Sequence, residues 1–168
     1  GSEMCIRDRL SIEIALTNEA RRPMPAGLGV HPFLVAGPAD SVRFRATAPW
    51  RSDADGCAIA AEPRAGDAAL RDGRLAPEGE TIQFAGCDGH AELRRADEVR
   101  VVIESTPEFP CLVLHAPPRT PYTCIEPVSH VADAFNLHAA GVAGTGMRIL
   151  APGETLAGRV RIGLASSA

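Results

Sequence analysis

The chain has 168 residues, of which 45% are hydrophobic and 23% charged, with a formal net charge of −4. This composition is typical of one globular domain with a substantial core, and it excludes an intrinsically disordered chain. The mild negative charge argues against nucleic acid as a partner, because phosphate binding requires a dense basic surface. The chain contains no lysine, which excludes catalysis through a lysine Schiff base.

The five cysteines are scattered and have no Cys-x-x-Cys spacing: Cys5, Cys57, Cys87, Cys111 and Cys124. This pattern predicts neither a disulfide framework nor a zinc site, and it favours a reducing, cytoplasmic location. No apolar run approaches the length of a membrane span, so we expect no membrane association.

The first nine residues have no pattern that leads into the strand after them. Gly1 and Ser2 resemble a cleavage scar, and Glu3–Arg9 resembles translated adapter sequence. We therefore expect residues 1–9 to be a non-native leader and residues 10–168 to form the domain.

The pattern becomes regular at Leu10, and it predicts a series of short strands. Leu10–Asn18 alternates apolar and polar residues, which is the period of a half-buried strand. Pro23 and Pro25 keep the next stretch extended. Further strands are predicted at Ser41–Ala46, Thr81–Phe84, Ala91–Arg94, Val99–Glu104, Cys111–Ala116, Tyr122–Glu126 and Leu156–Leu164.

Turn signals separate these strands, and the chain contains 16 glycines and 14 prolines. Helix is expected only as short turns at Leu70–Leu75 and Val131–Leu137. Many short strands with this punctuation predict an all-β fold, an antiparallel β-sandwich in a single domain.

His31 stands in the segment Gly-Leu-Gly-Val-His-Pro-Phe, from Gly27 to Phe33. Pro32 biases His31 toward an extended backbone, and the glycines allow a chain or a ligand to approach closely. Two interpretations stay open: an ordinary half-buried histidine in a turn, and a histidine held at the mouth of a cleft for proton transfer.

Glu126 ends an otherwise apolar strand, directly before a proline, in Tyr-Thr-Cys-Ile-Glu-Pro. A carboxylate beside Cys124 and Ile125 is partly desolvated, which raises its pKa toward the range of a general base. The alternative is a carboxylate that points into solvent from the strand end.

Three other groupings carry less chemistry. His130, Asp133 and His138 have a spacing that matches no well-defined metal site, so no metal ligands are predicted. Ser129 and His130 are neighbours on an extended chain and point to opposite faces, which argues against a catalytic triad. Cys124 is better explained as a buried thiol than as a nucleophile.

Four segments together resemble the aldose 1-epimerase, or galactose mutarotase-like, family, and they occur in the family's order. They are Leu10–Phe33, Phe84–Leu93 (FAGCDGHAEL), Cys124–Asn136 (CIEPVSHVADAFN) and Leu150–Leu156 (LAPGETL). The resemblance implies a galactose mutarotase-like antiparallel supersandwich, of which this chain matches the C-terminal portion and is N-terminally truncated.

Members of that family interconvert the α and β anomers of free sugars without a metal or an organic cofactor. The resemblance implies that His31, in the His-Pro-(Phe/Tyr) motif, is the general acid and that Glu126 is the general base. It also implies sugar contacts from Phe33, from Thr81 at the position of a sugar-binding aspartate, and partly from Gln83. The expected partners are a small-molecule sugar and, through exposed sheet edges, a second copy of the chain.

The family's N-terminal part supplies an arginine and a histidine that nothing before Leu10 matches, so we expect impaired activity. One alternative is a hexose-6-phosphate 1-epimerase, with arginines (Arg21, Arg22, Arg119) converging on a phosphate. The other is a non-catalytic carbohydrate-binding β-sandwich, favoured by Thr81 and by Cys87 in place of a usual tryptophan. The catalytic interpretation requires His31 and Glu126 to face one cleft across about the width of a pyranose.

Overall fold

The computed structural model describes residues 9–61 and 69–165, and these residues form short antiparallel strands and one short helix. In chain order the elements are β1 Arg9–Thr17, β2 Met24–Ala26, β3 Phe33–Val35, β4 Ser41–Ala46, β5 Ala48–Ser52, β6 Ala58–Ala61, β7 Ala69–Arg74, β8 Thr81–Ala85, β9 His90–Arg94, β10 Arg100–Ser105, β11 Cys111–His115, β12 Tyr122–Val128, α1 Ala134–Ala139, β13 Arg148–Leu150 and β14 Thr155–Leu164.

The strands form two six-stranded sheets and a small ribbon. The first sheet has the order β1-β14-β10-β9-β4-β7, the second has the order β3-β12-β11-β8-β5-β6, and β13 pairs with β2. The rings of Phe44 on the first sheet and Phe84 on the second meet edge-on, with centroids 4.8 Å apart. The sheets therefore pack face to face, which confirms the predicted all-β antiparallel sandwich.

The core lies between the sheets because apolar residues alternate along the strands. Leu93, Ile103 and Val160 are buried on the first sheet, and Leu112 and Ile125 are buried on the second. Burying each such side chain contributes about 1.5–3 kcal/mol. Since neighbouring residues on a strand point to opposite faces, the same alternation turns the residues between them on the second sheet away from the core.

Most predicted strands are found within one or two residues of their expected bounds, and Ser41–Ala46 is confirmed at both ends. The prediction of a helical turn at Leu70–Leu75 is wrong, because Ala69–Arg74 pairs with β4 as an edge strand. Gly73 weakens a helix there, and the ladder to β4 supplies the backbone hydrogen bonds instead. The second predicted helical turn begins three residues later than expected, at Ala134.

The predicted leader falls largely on residues 1–8, which lie outside the described residues. Arg9, which we assigned to the leader, is the first residue of β1 and pairs with Gly163 of β14. Within the described residues, no helix is both long enough and apolar enough to cross a membrane.

Candidate functional site

A cavity of about 480 Å³ lies on the outer face of the second sheet. Its floor comes from three adjacent strands, β8, β11 and β12, and its walls come from the loops that precede β3 and follow β12. The lining residues are Gly27, Leu28, Gly29, His31, Thr81, Gln83, Val113, His115, Glu126, Val128, His130 and Ala132.

The strand register arranges the floor in rows. Val113 on the central strand pairs with Gln83 on one side and with Glu126 on the other, so these three residues form one row. Two residues further along the central strand, His115 pairs with Thr81 and with Cys124, so these form the next row. Residues of one row share a face of the sheet, which brings chemistry from three distant segments together.

The position of His31 follows from the pairing of the edge strand β3. Phe33 pairs with Cys124, and further along the same register an isolated bridge joins Gly29 to Val128. Carrying this register between the two contacts places His31 opposite Glu126. The intervening Pro32 has no N–H to donate, so the regular backbone hydrogen bonding to β12 is interrupted there.

His31 and Glu126 are in direct contact, with 3.3 Å between His31 Nε2 and Glu126 Oε1. The imidazole is 52% exposed, whereas the carboxylate is only 12% exposed. Burial raises the pKa of Glu126 above its ordinary value, and the nearby His31 lowers it in part. The two residues face one cleft, as the catalytic interpretation requires, but their separation is much smaller than the expected width of a pyranose.

Phe33 lies beside the cavity rather than among its lining residues. Its ring stacks on His31 with 4.8 Å between centroids and meets Tyr122 edge-on at 5.2 Å. The side chain is 63% exposed. Phe33 therefore packs against the imidazole, and a direct contact between Phe33 and a sugar stays a prediction.

Gln83 lines the cavity but is only 1% exposed, and its amide holds two loops. The nitrogen donates to Ser52 Oγ at 3.1 Å and to the Gly56 carbonyl at 2.8 Å. The oxygen accepts from the Ala132 N–H at 2.7 Å. A sugar hydroxyl therefore finds only the remaining lone pair of the Gln83 oxygen.

Thr81 also lines the cavity, and it holds a histidine that sequence reasoning did not single out. Thr81 Oγ1 lies 2.8 Å from His115 Nδ1, which also lies 3.2 Å from the Glu80 carbonyl oxygen. A carbonyl only accepts, so this contact favours the tautomer with hydrogen on Nδ1 and leaves Nε2 as an acceptor. The signal in the sequence was the alternation of β11, which places His115 on the same face as Val113.

His130 is a wall residue, which neither of its two sequence interpretations anticipated. Its Nδ1 lies 2.8 Å from the Val131 carbonyl oxygen, so Nδ1 carries the hydrogen in the neutral ring. A Cβ atom added at Gly27 would lie only 2.1 Å from His130 Nε2. The ring therefore packs directly on the Gly27 backbone, and this close approach explains a glycine at that position. Ser129 is structural, because its hydroxyl accepts from the Leu28 N–H at 2.7 Å.

The arginines required for phosphate binding do not converge on this cavity. Arg119 lines a separate cavity of about 480 Å³, which shares no lining residue with the first. Arg21 and Arg22 are exposed before β2 and line neither cavity. Within the part of the chain that the structure describes, the cavity beside His31 has no arginine in its lining.

Comparisons with known proteins show similarity in sequence and in fold. No protein-family profile matches the chain. In sequence it is 25% identical over 161 residues to the uncharacterised protein YphB of Escherichia coli K12, covering 88% of this chain and 53% of that protein. The chain therefore spans about half the length of the curated relative that it matches.

Solved structures with the same fold cover nearly all of this chain. A candidate aldose 1-epimerase from Escherichia coli K12 superposes with a TM-score of 0.77 at 23% identity, over 94% of this chain and 56% of that one. A galactose mutarotase-like protein from Clostridium acetobutylicum gives 0.74 at 18% identity, over 94% and 52%. One from Lactobacillus casei gives 0.70 at 17% identity, over 92% and 58%. The predicted resemblance is confirmed at the level of the fold, which is galactose mutarotase-like.

Proposed function

We propose that this chain is an aldose 1-epimerase-like isomerase, which interconverts the α and β anomers of free hexoses by acid–base ring opening. The observation that carries the proposal is the contact between His31 and Glu126 in a cavity of about 480 Å³. That volume lies within the range of about 300–1,000 Å³ that is usual for small-molecule sites. The galactose mutarotase-like fold supports the same reaction class.

The direct contact between the pair suits the chemistry better than a wide separation. The anomeric hydroxyl and the ring oxygen of a hexose are bonded to the same carbon, so an acid and a base that serve them must lie close together. Glu126 takes the proton of the anomeric hydroxyl while His31 protonates the ring oxygen, and the bond between that oxygen and the anomeric carbon breaks. The aldehyde then rotates about its bond to the next carbon, and the ring recloses with the two roles reversed.

The raised pKa of Glu126 makes its carboxylate a stronger base, which favours removal of the proton from the anomeric hydroxyl. Proton transfer by a positioned side chain increases the rate of each step by about 10²–10⁴-fold. These steps move only protons between the sugar and two side chains, so the proposed reaction needs no cofactor.

The remaining wall residues have separate roles in this proposal. Thr81 and His130 contact sugar hydroxyls, because both line the cavity with polar side chains. Gln83 contributes mainly by holding the loops around the cavity, with one lone pair left for a hydroxyl. Phe33 acts on the sugar at the rim and through its stacking on His31.

We place the protein in carbohydrate metabolism in the cytoplasm, with a free hexose as its partner. The five cysteines without a paired spacing support a reducing compartment.

NMR exchange spectroscopy on the two anomers of glucose tests the proposal. Glu126→Gln is expected to lower the enzymatic exchange rate at least about 10²-fold, because it removes the base. His138→Ala is the matched control, since His138 is exposed on α1 outside the cavity. Exchange that is equally fast in Glu126→Gln would exclude the assigned mechanism.

Two further measurements separate the alternatives. Preference for glucose 6-phosphate over glucose would indicate the hexose-6-phosphate 1-epimerase, although no arginine lines the described cavity. Saturable sugar binding in calorimetry without any anomer exchange would indicate a non-catalytic carbohydrate-binding sandwich.

A further inference from the structure

Three different metal-ligating side chains meet at the edge of the cavity. The ligand atoms of His31, Cys124 and Glu126 all lie within 4.8 Å of one another. Cys124 and Glu126 are two residues apart on β12, so both side chains lie on the same face of the sheet. Cys124 is fully buried, between His115 and Phe33 in its row, and its sulfur lies within 4.8 Å of the ligand nitrogen of His31.

The spacing of these atoms fits a tetrahedral ion with nitrogen, sulfur and oxygen ligands. Zn²⁺ binds imidazole nitrogen and carboxylate oxygen at about 2.0–2.2 Å, so two such ligands of a tetrahedron stand about 3.3–3.5 Å apart. The distance between His31 Nε2 and Glu126 Oε1 is 3.3 Å. A tetrahedral sulfur-to-nitrogen edge is about 3.6 Å, so the thiol of Cys124 needs an adjustment on the order of 1 Å.

We propose that His31, Cys124 and Glu126 form a binding site for one Zn²⁺ ion that closes the cavity to sugar. The ion enters from the cavity past the half-exposed His31, and a water molecule completes its tetrahedron. Binding joins the thiolate of Cys124 to the metal and releases its proton to solvent. The metal takes the lone pairs that His31 and Glu126 need for proton transfer, so it is an inhibitor and not a cofactor of the proposed reaction.

The chemistry of the ligands also predicts which ions bind. Zn²⁺ and Cd²⁺ accept thiolate and imidazole, whereas Mg²⁺ prefers six oxygen ligands and keeps its waters. The site therefore discriminates strongly between Zn²⁺ and Mg²⁺. Metal binding is measured in the absence of sugar. The result of that measurement is therefore independent of whether the proposed aldose 1-epimerase activity is found.

Calorimetric titration of the purified full chain with Zn²⁺ tests the site. We expect one ion per chain, an affinity at least about tenfold lower in Cys124→Ser and in His31→Ala, and no binding of Mg²⁺. Cys57→Ser is the matched control, because Cys57 is a partly exposed thiol beside Asp53, outside the cavity. In the same samples, Cd²⁺ should give a thiolate-to-metal absorption band that Cys124→Ser abolishes and Cys57→Ser retains.

Two results would overturn the site. One is an unchanged Zn²⁺ affinity in His31→Ala, which is decisive even if Cys124→Ser fails to fold, because His31 is half-exposed and its removal leaves the core intact. The other is a Cd²⁺ band that disappears in Cys57→Ser and persists in Cys124→Ser. Suppression of anomer exchange by Zn²⁺, reversed by a chelator, would support closure of the cavity, whereas full exchange with Zn²⁺ bound would contradict it.

Discussion

A carboxylate is a stronger base near neutral pH when its surroundings raise its pKa above the ordinary value. Burial does this for Glu126, whose pKa is raised. Glu92 shows the opposite case on the other sheet, where a hydrogen bond from Arg94 lowers the pKa of the carboxyl. The two glutamates differ in environment alone, and the environment separates a proton acceptor from a partner in an ion pair.

The pKa of Glu126 gives a prediction about pH. Exchange is expected to fall as the pH drops through the raised pKa of Glu126, because the protonated carboxyl cannot accept a proton. In His31→Ala the pKa of Glu126 should rise further, since His31 lowers it in the native protein. NMR titration of the Glu126 side-chain carboxyl in both proteins measures the two values.

The same shift predicts a trend in stability. The folded chain holds this proton more tightly than the unfolded chain, so the stabilisation is present below the ordinary glutamate pKa and is lost as pH rises through the raised value. Glu126→Gln should flatten that decline in the free energy of unfolding. A Glu126 carboxyl that titrates at or below about 4.3 would contradict both predictions.

Gly27 allows a second test at the scale of one residue. Gly27→Ala places a methyl group 1.9 Å from His130 Cδ2, so the imidazole must move. We expect destabilisation by about 1–3 kcal/mol and shifted His130 ring resonances in NMR spectra. Gly37→Ala is the control, because a Cβ atom there meets nothing within 4 Å. Unmoved His130 resonances in Gly27→Ala would show that the ring packs elsewhere.

At the scale of elements, Gln83 fastens β8 to two segments that border the cavity. Gln83→Leu removes the hydrogen bonds to Ser52, Gly56 and Ala132 together. We expect a loss of about 1–3 kcal/mol in the free energy of unfolding, measured by urea denaturation, because partners of a buried amide are left unsatisfied. Gln83→Glu should also destabilise, because it keeps the acceptor for the Ala132 N–H but sets a buried carboxyl oxygen against the Gly56 carbonyl. Equal stabilities of wild type and Gln83→Leu would show that the loops need no such link.

The elements also show where local sequence patterns stop being informative. Ser41–Ala46 and Tyr122–Glu126 were predictable because each holds enough residues to display a strand period. Phe33–Val35 has three residues, too few for any period, and β7 was mistaken for helix because its partner β4 lies far along the chain. Pairing between distant segments is a tertiary effect that a local pattern does not contain.

For the site, motif resemblance predicted the pair of His31 and Glu126 as a unit but not its geometry. The contact between them depends on the register of β3 with β12, which is set by segments far apart in sequence. His115 and His130 were missed as cavity residues because their role comes from the face of β11 and from packing on Gly27. The same distance in sequence hid the grouping of Cys124 with His31.

At the scale of the whole molecule, each six-stranded sheet ends in two edge strands that have a single partner strand among the described residues. On the β3 edge, Phe33 is 63% exposed and Val35 is 62% exposed. An apolar edge strand offers unpaired backbone groups and favours pairing with another chain. Self-association through this edge is therefore expected.

Val35→Lys tests this expectation, because a charge on an edge strand opposes pairing. We expect the wild-type chain to form larger species as its concentration rises in sedimentation velocity, and Val35→Lys to remain smaller. Ala39→Lys, in an exposed turn outside the strand, is the control for added charge. A wild-type chain that sediments as a monomer at every concentration would rule out association through β3.

His31 and Glu126 lie in parts of the sheet that differ in the number of neighbouring strands. Glu126 belongs to an inner strand with a neighbouring strand on each side, whereas His31 precedes a three-residue edge strand that pairs only with β12 among the described strands. Such segments open locally at a lower free energy than the strands of the core. Mild heat or denaturant should thus move His31 away from Glu126 while the rest of the sandwich stays folded. Loss of function would then precede loss of the fold.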